Sequence, residues 1–186
     1  MNISLTFRTY CPILMLAVLL PSCNSGKQNS FSPGGDTIRF KYARNIYVVD
    51  YGDSKKAVML NPWVKDGRAW KEYEIKSPYK RLLVSTAVHC ALFSELGCEG
   101  AVAGVCEPQY ISLPFVTAGC AGGSIMDCGS ATQPNLEKVI ELSPDLILLS
   151  PFQGATENRK VASLNIPVVE LADYMESSPL ARAEWG

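Results

Sequence analysis

The stretch Pro134 to Leu149, PNLEKVIELSPDLILL, constrains the fold of this chain more than any other. Its first half places Leu136, Val139, Ile140 and Leu142 at helical spacing, so that all four are expected to cover one face of a sheet. Ser143-Pro144-Asp145 then turns the chain, and Leu146 to Leu149 run without a polar residue. A short run apolar on both faces is a strand covered on both sides, which is the pattern of a parallel sheet with helices above and below. An antiparallel surface sheet would alternate apolar and polar positions. Helix, turn and strand here are scaffold. Layered sheets of this kind put their working residues just beyond the carboxyl ends of the strands, so function is to be sought in the turn after each strand.

Strand and helix alternate from Tyr79 onward. Arg81–Thr86 reads as a strand, Ala87–Leu96 as a helix ended by Gly97, and Ala101–Val105 as a second strand. A loop with a helical turn starts at Cys106, Gly119–Gly123 reads as flexible, and Ser124–Asp127 as a short strand. A helix with Pro134 in its first turn leads into the strand Asp145–Ser150. Ala155–Leu164 is a further helix, Ile166–Leu171 a further strand, and Pro179 opens a last helix. The predicted class is therefore α/β, a parallel sheet with flanking helices built from βαβ units. Residues 37–78 precede it as a β-rich extension. Ile38–Asp50 and Ala57–Leu60 form a hairpin or small antiparallel sheet about a turn at Tyr51, with Trp63 and Trp70 expected to pack it onto the next part of the chain.

The first residues belong to targeting. Arg8, the apolar run Cys11–Leu20 and the sequence Pro21-Ser22-Cys23 make residues 1–22 a secretory signal, too short to span a membrane. Cys23 stands where a lipobox places its acylated cysteine, the alternative being an ordinary signal with a chance cysteine at that position. Residues 23–36, polar and rich in Ser and Gly, then form a flexible tether. The expected location is the cell envelope, lipid-anchored to a membrane on its periplasmic side.

Composition excludes some partners. A net charge of −1 and the lack of any Lys/Arg run give no reason to expect nucleic acid. Of seven cysteines, Cys11 leaves with the signal and Cys23 is taken by lipid, leaving Cys90, Cys98, Cys106, Cys120 and Cys128. This odd number cannot pair fully, and without a Cys-x-x-Cys spacing no zinc site is indicated. Free buried thiols packing as small apolar residues are the expectation.

Four blocks, RLLVSTAVHCALFSELGCEGAVAGVCEPQYI, DCGSATQPNLEKVIELSPDLILLSP, VASLNIPVVEL and ADYMESSPLARAEW, together resemble the periplasmic binding proteins of ABC importers for vitamin B12, ferric siderophores and haem. The resemblance covers roughly Arg81 to Trp185. It implies that residues 79–186 form the N-terminal, Rossmann-like lobe of a two-lobed fold, ending where the inter-lobe helix begins. It implies capture of an iron chelate or cobalamin between lobes and delivery to an ABC permease and its ATPase, with no resident cofactor. An alternative is a truncated surface lipoprotein that scavenges or interacts without transport.

The resemblance places the ligand against four turns. His89, the only histidine, suits ligation of haem iron or corrin cobalt, a hydrogen bond to a chelate, or plain lining of the cleft. Tyr110 suits stacking on a flat ligand and Glu107 accepting hydrogen bonds, or both only shape their loop. Phe152 offers an apolar face, Gln153 lies beside it, and Gly154 permits a sharp entry to the next helix; Tyr174 is the favoured contact in the last turn. Glu157 is the candidate carboxylate for docking on the permease, and equally a helix-start residue suited to the helix dipole. Catalysis is not expected. Ser85 and His89 sit four apart at a strand–helix junction, but no Gly-x-Ser-x-Gly elbow is present, and Gly119-Cys-Ala-Gly-Gly lacks the Lys-Ser/Thr of a phosphate loop.

Overall fold

The computed structural model describes residues 34–64, 66–76, 78–151 and 157–185, the side chains of 157–159 excepted. The signal, Cys23 and nearly all of the expected tether lie outside these residues. Four antiparallel strands open the described fold: β1 (Asp36–Arg39), β2 (Ile46–Asp50), β3 (Lys55–Leu60) and β4 (Ala69–Glu74), paired in the order β1-β2-β3-β4. The β-rich extension is thus a meander rather than a single hairpin. Sequence reading merged β1 with β2 and passed over β4, whose AWKEYE is too charged to signal a strand; its register is set by pairing with β3 (Val58↔Glu72). Trp63 and Trp70 meet each other edge to face, with ring centroids 5.2 Å apart.

Five parallel strands form the second sheet: β5 (Leu82–Val84), β6 (Val102–Val105), β7 (Met126–Asp127), β8 (Leu146–Leu149) and β9 (Val168–Glu170), in the order β7-β6-β5-β8-β9. The helices between them are α1 (Ala87–Glu95), α2 (Pro114–Gly122), α3 (Leu136–Leu142) and α4 (Glu157–Ala162), and α5 (Pro179–Ala183) comes last. The predicted α/β class holds. All four residues of β8 are buried, as a strand apolar on both faces requires. Side chains alternate between two apolar layers. Leu82, Val84, Leu146 and Leu148 join Cys90 of α1 and Val116 of α2. Leu83, Ile147 and Leu149 join Val139 and Leu142 of α3 and Val161 of α4. Each such leucine or isoleucine taken fully out of water is worth roughly 1.5–3 kcal/mol.

Three local readings are corrected. Gly119–Gly123 is not flexible: Pro114 starts α2, Gly119 lies within it, and Gly123 closes it at φ +76°. Glycine at 119 lets the helix approach Ile125 closely, since a Cβ there would lie 2.6 Å from the Ile125 side chain. Pro134 stands outside α3 instead of in its first turn. Asn135 is the cap, its side-chain oxygen accepting from the N–H of Glu137 and Lys138. Ile140 does not cover the sheet; it is 57% exposed, since the covering stripe is Val139 and Leu142.

The meander is fastened to the α/β part by carboxylates. Glu184 accepts from the backbone N–H of Lys41, Tyr42 and Ala43, at 3.2, 2.7 and 2.7 Å. Glu176, buried, accepts from Arg44 N (3.0 Å), Asn45 N (2.9 Å) and the Trp185 indole Nε1 (3.1 Å). Five successive backbone donors between β1 and β2 are thereby satisfied. Farther along, Lys71 of β4 pairs with the buried Glu170 of β9, and the Glu170 N–H donates to the Tyr73 hydroxyl.

Candidate ligand site at the carboxyl rim of the sheet

In a parallel sheet of order β7-β6-β5-β8-β9, the direction in which successive strands are added reverses about β5: β6 and β7 step one way, β8 and β9 the other. The turns after β5 and β8 therefore part at the carboxyl rim and leave a crevice, the usual ligand position in open α/β sheets. A cavity of about 210 Å³ lies there. Its walls are Thr86, Val88 and His89 from the turn and helix after β5, Ser150 after β8, and Asp173 and Tyr174 after β9.

The rim is held by a chain of hydrogen bonds. Thr86 caps α1, its Oγ1 accepting from His89 N–H and lying 2.8 Å from His89 Nδ1. His89 Nε2 lies 3.0 Å from Asp173 Oδ1. With an ionised carboxylate as acceptor, Nε2 carries the proton and Nδ1 accepts from the Thr86 hydroxyl. Both ring nitrogens are engaged and the imidazole is only 3% exposed, so in this arrangement His89 ties the β5 turn to the β9 turn and presents no free lone pair to a metal. Tyr174 donates its hydroxyl to the Pro151 carbonyl at 2.6 Å, which turns its ring, more than a third exposed, along the cavity wall. Burial, with the Asp173 charge beside it, pushes the Tyr174 phenol up from its ordinary value.

What remains open to a ligand is mostly apolar. Val88 is 60% exposed, the Tyr174 ring lies beside it, and Asp173 adds acceptor capacity. A cavity of this volume falls short of the roughly 300–1,000 Å³ of a complete small-molecule site. Among the described residues a larger cavity, about 500 Å³, lies off this crevice between the start of α3 and α4, with Asn135, Glu137 and Lys160 in its walls.

Of the residues singled out by sequence, His89 and Tyr174 come together in the crevice. Glu107 and Tyr110 do not line it, because β6 lies on the other side of β5. They form a separate shelf: Glu107 takes φ +50°, and Tyr110, in a 3-10 turn (Pro108–Tyr110), is 74% exposed. Phe152, Gln153 and Gly154 lie outside the described residues; Glu157 opens α4, and its side chain lies outside them too. Sequence reading missed Thr86 and Asp173 as a unit with His89. A lone histidine three residues after a cap-forming threonine was the available signal; its Asp173 partner, 84 residues on, was not. Ser85, paired with His89 on spacing, has no hydrogen-bond partner for its buried Oγ among the described residues; Thr86 takes that place.

No protein-family model matches the chain. The petrobactin-binding protein YclQ of Bacillus subtilis is 29% identical over 166 residues, 88% of this chain and 44% of that protein. An uncharacterized lipoprotein of Methanocaldococcus jannaschii is 29% identical over 130 residues, 66% of this chain and 31% of its own length. Among solved structures, that of the same petrobactin-binding protein aligns at 27% identity and a TM-score of 0.44, over 55% of this chain and 34% of that one. The periplasmic haem-binding protein HutB of Vibrio cholerae aligns at 18% identity and a TM-score of 0.39, over 49% and 33%. In sequence the chain is thus similar to a petrobactin-binding protein and to an uncharacterized lipoprotein, and it spans less than half the length of each.

Proposed function

We propose that this chain is one lobe of a solute-binding lipoprotein that captures an iron chelate or a corrinoid for an ABC importer. The observation that carries the reading is the crevice at the reversal point of the sheet, walled by turns after β5, β8 and β9. Its open surface suits a broad, largely apolar ligand face, while the Thr86–His89–Asp173 chain keeps the wall rigid before a ligand arrives. Similarity to a petrobactin-binding protein over 88% of the chain supports the iron-chelate choice. Capture is non-covalent. Delivery to a permease and ATPase, with Glu157 as a docking carboxylate, and anchoring through Cys23 belong to the same reading.

Equilibrium dialysis of the chain against a ferric catecholate siderophore, haem and vitamin B12 tests it. Saturable binding of one of them, weakened at least fivefold by Val88→Asp or Tyr174→Ala, is expected. No saturable binding of any up to about 1 mM, a free energy of only about 4 kcal/mol, would sink the assignment.

A further inference from the structure

Cys106 follows β6 and Cys128 follows β7, and the parallel ladder brings them side by side. Gly104 pairs with Met126 and Val105 with Asp127. Beyond these pairs Cys128 N–H donates to the Val105 carbonyl at 2.8 Å, and Glu107 N–H to the Gly129 carbonyl at 2.8 Å, so the two cysteines are bracketed by ladder bonds. Adjacent strands lie about 4.8 Å apart, inside the 4.4–6.8 Å span that a disulfide requires between Cα atoms. Both side chains enter the same apolar layer, with Leu142 and Ile147. The Cys128 sulfur leans over β6: a Cβ on Gly104, two residues before Cys106 in the chain, would lie 3.3 Å from it. The absent side chain at Gly104 leaves that sulfur its room. Cys90 belongs to the opposite layer with Cys120 packed against it, and Cys98 is exposed.

We infer that Cys106 and Cys128 are a disulfide site, closed while the chain folds. A thiolate of one attacks an external disulfide, such as oxidised glutathione, and releases one glutathione; the second thiolate then attacks the mixed disulfide and releases the other. Two thiols become one S–S bond, and the oxidant is reduced to two thiols, taking up both protons and both electrons. Timing follows from burial. In the folded chain the two residues are 1% and 0% exposed. Burial pushes the Cys106 thiol up to about 12 and the Cys128 thiol up to about 11, so thiolate is scarce and an oxidant cannot reach it. The same shielding protects the bond once made. Its value to the fold is local: β7 is a two-residue edge strand held to β6 by two register pairs, and the bond staples it beneath the shelf that carries Glu107 and Tyr110.

The test refolds the reduced, denatured full chain in oxidised plus reduced glutathione, blocks remaining thiols with N-ethylmaleimide, and maps it unreduced. Cleavage after acidic and aromatic residues puts Cys106 on 100–110 and Cys128 on 128–137, each without a second cysteine. The expected product is these two fragments linked, two hydrogens lighter than their sum, with Cys98 alkylated. Already folded, reduced chain, its fold checked by circular dichroism, is expected to gain the same link at least tenfold more slowly. Recovery of both fragments alkylated after oxidative refolding, or Cys128 joined to any other cysteine, overturns the assignment; equal rates in the two arms overturn closure during folding.

Discussion

The Glu184 carboxylate accepts a hydrogen bond at 2.7 Å from the backbone N–H of Tyr42, 142 residues earlier in the chain. Together with Glu176 it makes α5 and the turn before it the fastening of the meander. Glu176→Ala leaves Arg44 N, Asn45 N and the Trp185 indole without their acceptor. Since a donor orphaned in a partly buried site costs about 1–3 kcal/mol, a loss of about 2 kcal/mol in urea-melt stability is expected, with Glu176→Gln recovering part of it.

The fastening through Glu184 is sensitive to acid. Burial alone would push this carboxyl up, but the three backbone donors and the Lys41 charge together hold it below the ordinary glutamate range. A carboxylate lowered in the folded state contributes stability above its unfolded pKa of about 4.3, and loses it as pH falls through the lowered folded value. Amide chemical shifts of Tyr42 and Ala43, followed by NMR from pH 6 downward, should titrate together with a midpoint below about 4.3. A midpoint at or above that value contradicts the arrangement.

His89→Ala should loosen the rim. It removes a buried ring, leaves Asp173 without its donor, and uncouples the β5 turn from the β9 turn. The combined cavity and orphaned-acceptor cost is about 2–4 kcal/mol by chemical denaturation. Asp173→Asn, which keeps shape but loses charge, should cost less than half as much.

Gly119→Ala sets two effects against each other. Alanine gains about 1 kcal/mol of helix propensity over glycine, whereas the new Cβ would meet Ile125 at 2.6 Å in the packed layer. Overpacking costs about 1–3 kcal/mol, so a net loss is expected in thermal melts. Adding Ile125→Val should return part of it by removing a methyl group at the point of contact.

How far sequence reaches is visible in particular residues. Leu146–Leu149 declared a doubly covered strand, and it is one, because burial on both faces leaves no polar position to confuse the pattern. Thr86 and Ser178 each cap the helix after them, and neither was read as a cap. The Asn135 cap lay one residue beyond the proline that drew attention. β4 was illegible, since Ala69–Glu74 is a strand by virtue of pairing with β3 rather than of its own composition. The glycines of α2 misled because Gly119 serves a close approach to Ile125, a contact that composition does not reveal. Of the candidate residues, His89 and Tyr174 were singled out by residue type and turn, and both line the crevice. That the crevice excludes Tyr110 follows only from strand order, which no single turn encodes.

The pairing of Glu176 and Glu184 with residues 41–45 also dictates an order of assembly. β1, β2 and β3 can zip up as soon as they are synthesised, but the bend between the first two keeps five unfilled amide donors until the ribosome has delivered residues more than 130 positions downstream. The earliest-made sheet is thus the last to be sealed, and an incomplete chain carries an unlocked front end that a protease can recognise.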